Sequence, residues 1–140
     1  MNGNMMGRPL LISDLIEHAE TYHAKMEIVT RRVEGDYIHR YTYADAAKRS
    51  RQLANALQKL GVKEGECIGT LAWNTYRHYE IYFATSGIGA VCHTINPRLF
   101  AEQIEYIVNH AEDSYIFVDL TFVPIIEGLI SKIPKVKGFI

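Results

Sequence analysis

Cysteine is scarce in this chain: Cys67 and Cys92 are the only two in 140 residues. Two cannot build a disulfide framework, and the pair suits a reducing compartment. An excess of charge of one sign is also missing. Fifteen basic residues stand against sixteen acidic ones, and the halves divided at residue 70 carry +1 and −2. Without a basic arm, nucleic acid is excluded as the main partner. Met1 to Leu10 offers one arginine before a short apolar patch, which is no secretory signal. Charged residues interrupt the apolar runs before any reaches membrane-span length. There is no low-complexity linker and no repeat of fixed period. The expectation is a cytoplasmic protein with no integral membrane segment.

What is present is globular: 48% of residues are hydrophobic and 22% charged. A chain of this size suits one domain and buries about two-thirds of its unfolded surface. Leu11, Leu15, Ile16 and Ala19 predict a helix over Leu10 to Lys25, with Ser13 or Asp14 as its cap. Glu27 to Tyr43 reads as a hairpin around a tight turn at Glu34-Gly35-Asp36. Thr42 to Leu60 is a helix whose apolar face carries Tyr43, Ala46, Ala47, Ser50, Leu53, Ala54, Leu57 and Leu60. Thr42 with Asp45 resembles a capping box, with Asp replacing the usual Glu, and Gly61 supplies the left-handed stop.

Beyond Gly65 the pattern alternates. Strands are predicted over Cys67 to Trp73, Ala90 to Ile95, Ser114 to Val118 and Val136 to Ile140. Helices are predicted over Asn74 to Gly87, Leu99 to Ala111 and Phe122 to Lys132, the last weakened by Gly128. This alternation means an α/β fold with a mostly parallel sheet, preceded by an N-terminal helix and β-hairpin. The final run, Gly138-Phe139-Ile140, reads as a buried strand. It suggests the front part of a longer chain, because an unpaired apolar edge is normally avoided.

Familiar chemical signatures are missing as well. The six histidines show no metal-ligand spacing, so no metal is expected. No Gly-x-Ser-x-Gly elbow exists. Thr85-Ser86-Gly87-Ile88-Gly89 closes a helix and precedes a strand, the reverse of a phosphate loop. No catalytic residue is assigned. Ligands of open parallel sheets bind beyond the carboxyl ends of the strands. Those positions hold Asn74, Asn96, Arg98 and Asp119, the candidate substrate-binding residues. Arg98 brings a forked cationic donor for phosphate or carboxylate. Each also has an ordinary role open to it: Asn74 and Asp119 as helix caps, Asn96-Pro97 as a turn.

Several runs then carry a family resemblance. They are Tyr41-Thr42-Tyr43, Leu53-Ala54-Asn55-Ala56-Leu57, Leu60-Gly61-Val62-Lys63-Glu64-Gly65, Trp73-Asn74, His78 and Gly87-Ile88-Gly89-Ala90-Val91. The most specific is His93-Thr94-Ile95-Asn96-Pro97-Arg98-Leu99. In this order they resemble the N-terminal part of adenylate-forming enzymes, above all bacterial medium- and long-chain fatty-acid CoA ligases. The resemblance implies a parent that joins a fatty acid to CoA through an acyl-adenylate, using ATP and magnesium. It implies that residues 1–140 are the N-terminal part of a large adenylating domain, incomplete at its C-terminus, with 1–43 as helix plus hairpin and 44–140 as β-α-β units. The family's phosphate loop ending in Lys, its later acidic motifs and its catalytic Lys match no position here. The chain itself is therefore expected to be inactive and to bind no cofactor. Phe100, where the family often has a small capping residue, puts the start of the Leu99 helix in doubt. Two other readings stand beside this one. The first is a dimerisation or interaction module using Leu10 to Tyr43, consistent with a homo-oligomer. The second is a small stand-alone nucleotide-binding domain.

Overall fold

A computed structural model describes residues 3, 4 and 6–140. The chain opens with helix α1 (Ile12–His23), then the strands β1 (Glu27–Arg31) and β2 (Ile38–Thr42). These two strands pair antiparallel, with Glu27 opposite Thr42 and Arg31 opposite Ile38. The link is longer than a tight turn, spanning residues 32–37, and Gly35 takes φ +76° within it. Neither Ser13 nor Asp14 caps α1. Leu11 holds the N-cap position with no side-chain bond. Of the α1 apolar stripe, Ile16 is buried while Leu11 and Leu15 are exposed.

Helix α2 (Tyr43–Leu60) is specified locally at both ends. The Thr42 hydroxyl accepts the Asp45 N–H, and the Asp45 carboxylate accepts the Thr42 N–H. Gly61 closes the helix at φ +94°, a conformation open to glycine at little cost. Ala46, Ala47, Ser50 and Leu57 are buried as expected, whereas Leu60 is exposed.

Next come β3 (Cys67–Leu71), α3 (Tyr76–Gly87), β4 (Val91–Thr94), α4 (Ala101–Ala111), β5 (Tyr115–Val118), α5 (Val123–Glu127) and β6 (Gly138–Phe139). The last predicted helix is broken. Two 3₁₀ turns, Leu120–Phe122 and Ile130–Lys132, flank the single α-helical turn of α5. Pro124 sits at its start and Gly128 at its end, where proline removes a donor and glycine adds no helical preference. Helix α4 begins at Ala101, two residues after the predicted Leu99, with Phe100 at its N-cap. The Gln103 side chain accepts the Phe100 N–H at 3.0 Å.

The four later strands form one parallel sheet in the order β4-β3-β5-β6. Side chains alternate across it. Ile68 and Phe117 pack with Leu57, Ile81 and Ala84 of α2 and α3. Leu71, Ile95 and Ile116 pack with Ile104 and Val108 of α4 and Ile126 of α5. Helices therefore cover both faces, as a parallel sheet requires. No helix of the described residues is long and apolar enough to cross a membrane.

Two buried polar pairs link these layers. Asp113 is fully buried, and the His93 Nδ1 lies 2.8 and 3.0 Å from its two oxygens. Gly69 makes room for it, since a Cβ there would lie 3.0 Å from an Asp113 oxygen. Burial pushes the Asp113 carboxyl up, and His93 opposes that rise. On the other face, Thr70 Oγ1 and His78 Nε2 lie 3.0 Å apart. Burial holds His78 below its ordinary range, against the Asp119 charge and a hydrogen bond to the Trp73 backbone. A neutral His78 ring can accept the Thr70 hydroxyl at Nε2.

Unfolded histidine takes up a proton near pH ~6.5, but folded His78 resists until lower pH. The stability contributed by neutral His78 is thus complete above about pH 6.5 and is lost as pH falls below it. The thermal midpoint is expected to drop between about pH 7.5 and pH 5, and His78→Gln to flatten that slope. Circular-dichroism melts across this range check it; an unchanged slope in the variant contradicts it.

Candidate functional site

Parallel strands deliver the loops that follow them to one edge of the sheet. Because β3 lies between β4 and β5, the loops after all three strands stand side by side there. Strand β3 ends at Leu71, two residues short of the predicted Trp73. The segment Ala72 to Thr75 is therefore loop, and Thr75, not Asn74, occupies the N-cap position of α3. Asn74 is exposed.

After β4, the Asn96 side chain accepts the Arg98 N–H at 3.0 Å, and the Asn96 carbonyl accepts the Leu99 N–H at 3.2 Å. This turn, with Pro97 inside it, fixes the backbone of Arg98. The Arg98 side chain is exposed, and among the described residues it makes no ion pair. Of the four candidates, Asn74, Asn96 and Arg98 are presented outward.

Asp119 is different. It is buried, and its carboxylate does not cap the 3₁₀ turn that follows. Instead it accepts the Trp73 N–H at 2.8 Å. The Asp119 N–H in turn donates to the Leu71 carbonyl at 3.1 Å. The Trp73 indole N–H donates to the Thr121 hydroxyl at 3.3 Å, and its ring packs on Phe122 with centroids 4.9 Å apart. The loops after β3 and β5 are thereby joined backbone to side chain.

Arg77, in the first turn of α3, completes this corner. Its Nη2 lies 3.7 Å from Asp119 Oδ1 and 2.6 Å from Glu34 Oε2. Burial acts to lower the guanidinium, but the Glu34 hydrogen bond and the Asp119 and Glu34 charges outweigh it and raise it overall. A cleft of about 420 Å³ opens beside Arg77 and Asp119, walled by Leu53, Ala72, Ile81 and Phe117. Its buried acid, Glu80, is held by the Arg49 Nε at 2.7 Å. Nearby, burial and then the Glu80 charge push the Tyr41 hydroxyl up.

Among the described residues no group of three His, Cys, Asp or Glu could hold a metal. His93 does meet a carboxylate, but as a lone pair with Asp113. Arg77 is committed to two carboxylates, leaving Arg98 as the outward cation of the three loops. A guanidinium presented in this way can bind and orient an anionic group. Sequence reasoning found the loops, Trp73 and Asp119 included, but missed Arg77 and the bond that joins Trp73 to Asp119. The signal for Arg77 was faint: an arginine in the first turn of the helix after a strand.

Comparisons with known proteins bear on the family and the fold. The family model for AMP-binding enzymes matches residues 15–138. A 3-methylmercaptopropionyl-CoA ligase from Ruegeria lacuscaerulensis is 49% identical over 140 residues, all of this chain and 26% of that protein. A medium-chain-fatty-acid–CoA ligase from Ectopseudomonas oleovorans is 47% identical over the same span, again 26% of its length. The long-chain-fatty-acid–CoA ligase of Thermus thermophilus is 40% identical over 136 residues, 97% of this chain and 25% of that protein. The chain thus spans about a quarter of the length of the curated relatives it matches. Among solved structures, the anthranilate CoA ligase AuaEII, in complex with anthranoyl-AMP, superposes with a TM-score of 0.83 at 25% identity. That match covers 94% of this chain and 25% of AuaEII. The Mycobacterium tuberculosis fatty acyl CoA synthetase shares the fold, with a TM-score of 0.80 at 20% identity over 93% of this chain and 26% of its own. With its parallel sheet, its helices on both faces and its matched residues 15–138, the chain belongs to the AMP-binding enzyme family.

Proposed function

We propose that this chain is the N-terminal part of the large adenylating domain of an ATP-dependent fatty acyl-CoA synthetase of the cytoplasm. Residues 1–43 form its helix and hairpin, and residues 44–140 its β-α-β units. The parent activates a fatty acid with ATP and magnesium and passes the acyl group to CoA. The observation that carries this reading is the near-half identity to two acyl-CoA ligases along the whole chain. Within it, Asn74, Asn96 and Arg98 line one wall of the substrate cleft, with Arg98 placed for a phosphate or carboxylate. Asp119 acts from behind, by holding the Trp73 loop.

The chain alone supplies scaffold and not chemistry. Adenylation needs several cations and amides around a developing charge, and the outward set here offers one guanidinium. Mixed with ATP, magnesium, CoA and a fatty acid, the 140-residue chain is expected to release no AMP and form no acyl-CoA above a blank. Product above the blank overturns the scaffold reading.

A second reading, self-association, is favoured by one observation. Leu11 at the N-cap of α1, Ile12, Leu15 and Tyr22 within it, and Val29 and Ile38 of the hairpin are exposed apolar side chains on consecutive elements. Large exposed apolar surface can mark contact surfaces. The chain is expected to elute as a dimer on a sizing column and as a monomer once residues 1–40 are removed. An intact chain that elutes as a monomer at high concentration counts against it.

A further inference from the structure

The hairpin lies far in sequence from the loops after β3 and β5, yet it is seated beside them. His39 of β2 stacks on Tyr76, the first residue of α3, with ring centroids 3.8 Å apart. One residue on, Arg77 reaches in two directions. It donates to Glu34 in the hairpin connection at 2.6 Å and faces Asp119 at 3.7 Å. Asp119 in turn holds the Trp73 N–H. Glu34 has its own support. Arg32 lies 3.9 Å from it, while the same guanidinium donates to the Tyr37 hydroxyl at 2.6 Å and lies over the Tyr37 ring. The Glu34 side chain is 20% exposed and that of Asp119 8%, so water screens this run of charges weakly.

A flexible arginine with one carboxylate partner could swing away from Asp119. With Glu34 accepting on the opposite side, its guanidinium is held between two carboxylates, one hydrogen-bonded and one a 3.7 Å ion pair. We infer that the hairpin positions the candidate substrate edge: Glu34 aims Arg77 at Asp119, and Asp119 thereby fixes the Trp73 loop. Glu34 and Arg77 are positioning residues, reaching the outward Asn74 only through the backbone that Asp119 holds. Their meaning for acyl-CoA synthesis rests on the proposed function above, whereas the coupling from hairpin to loop is a property of the chain itself.

Trp73 is the sole tryptophan and reports on this run directly. Acrylamide quenching of its fluorescence is measured in the 140-residue chain for the wild type, Glu34→Gln, Arg77→Gln and the double variant, with melts confirming that each is folded. Glu34→Gln and Arg77→Gln are each expected to raise the quenching constant about twofold, and the double variant to rise no further than Arg77→Gln alone. Should Glu34→Gln not fold, Arg77→Lys, which keeps the charge and loses the fork, is expected to raise quenching in the same direction. Wild-type quenching in a folded Glu34→Gln or Arg77→Lys chain overturns the inference, as do single effects that simply add in the double variant. No step of this test depends on enzymatic activity, so an inactive or differently acting parent leaves the result readable.

Discussion

One hydrogen bond, from the Trp73 N–H to the buried Asp119 carboxylate at 2.8 Å, ties together the loops at the candidate edge of this fold. A carboxylate removed from water must find donors or change its charge, and here a loop amide answers it. The neighbouring strands make the meeting possible. Leu71 stands opposite Val118 in the β3–β5 ladder, so the residues that follow them leave the sheet together. The Asp119 N–H bond to the Leu71 carbonyl extends the ladder by one step. The side-chain bond then carries the order into what would otherwise be two independent loops.

Much of the remaining polar chemistry is spent in the same way, on internal order. Thr70 and His78 join β3 to α3, and Asp113 and His93 join the α4–β5 connection to β4. Arg49 neutralises the buried Glu80. Groups already paired with one another have little capacity left for a substrate. What faces outward is a small set on a rigid support: Asn74, Asn96 and Arg98. A sheet that presents a few polar groups from well-fixed loops suits one wall of a cleft whose chemistry comes from elsewhere.

The sequence made the local features legible. Thr42 and Asp45 stand three apart, the spacing of a capping box, and Gly61 follows an apolar helix face. The alternation of short apolar runs with helical periods named the parallel sheet, and the order of motifs ending in Asn96-Pro97-Arg98 named the family. It was less informative where two preferences competed. Pro124 and Gly128 lie within an apolar pattern of helical spacing, and the backbone preference of both residues prevailed. On α1 the periodicity of Leu11, Leu15 and Ile16 was real, but only Ile16 found a partner to pack against. Trp73 and Asp119 are 46 residues apart. No spacing rule connects them, because their contact is created by strand order and register. Glu34 and Arg77 are further hidden by the hairpin, whose seat on α3 depends on the His39–Tyr76 stack.

If the Asp119 bond is the central constraint, the Trp73 amide behaves as core and not as loop. Amide hydrogen exchange followed by NMR reads this directly. The Trp73 N–H is expected to be protected to within about tenfold of the buried β3 amides of Ile68 and Thr70. Exchange at the rate of an exposed loop amide would contradict the account, since the two loops would then be free to move apart.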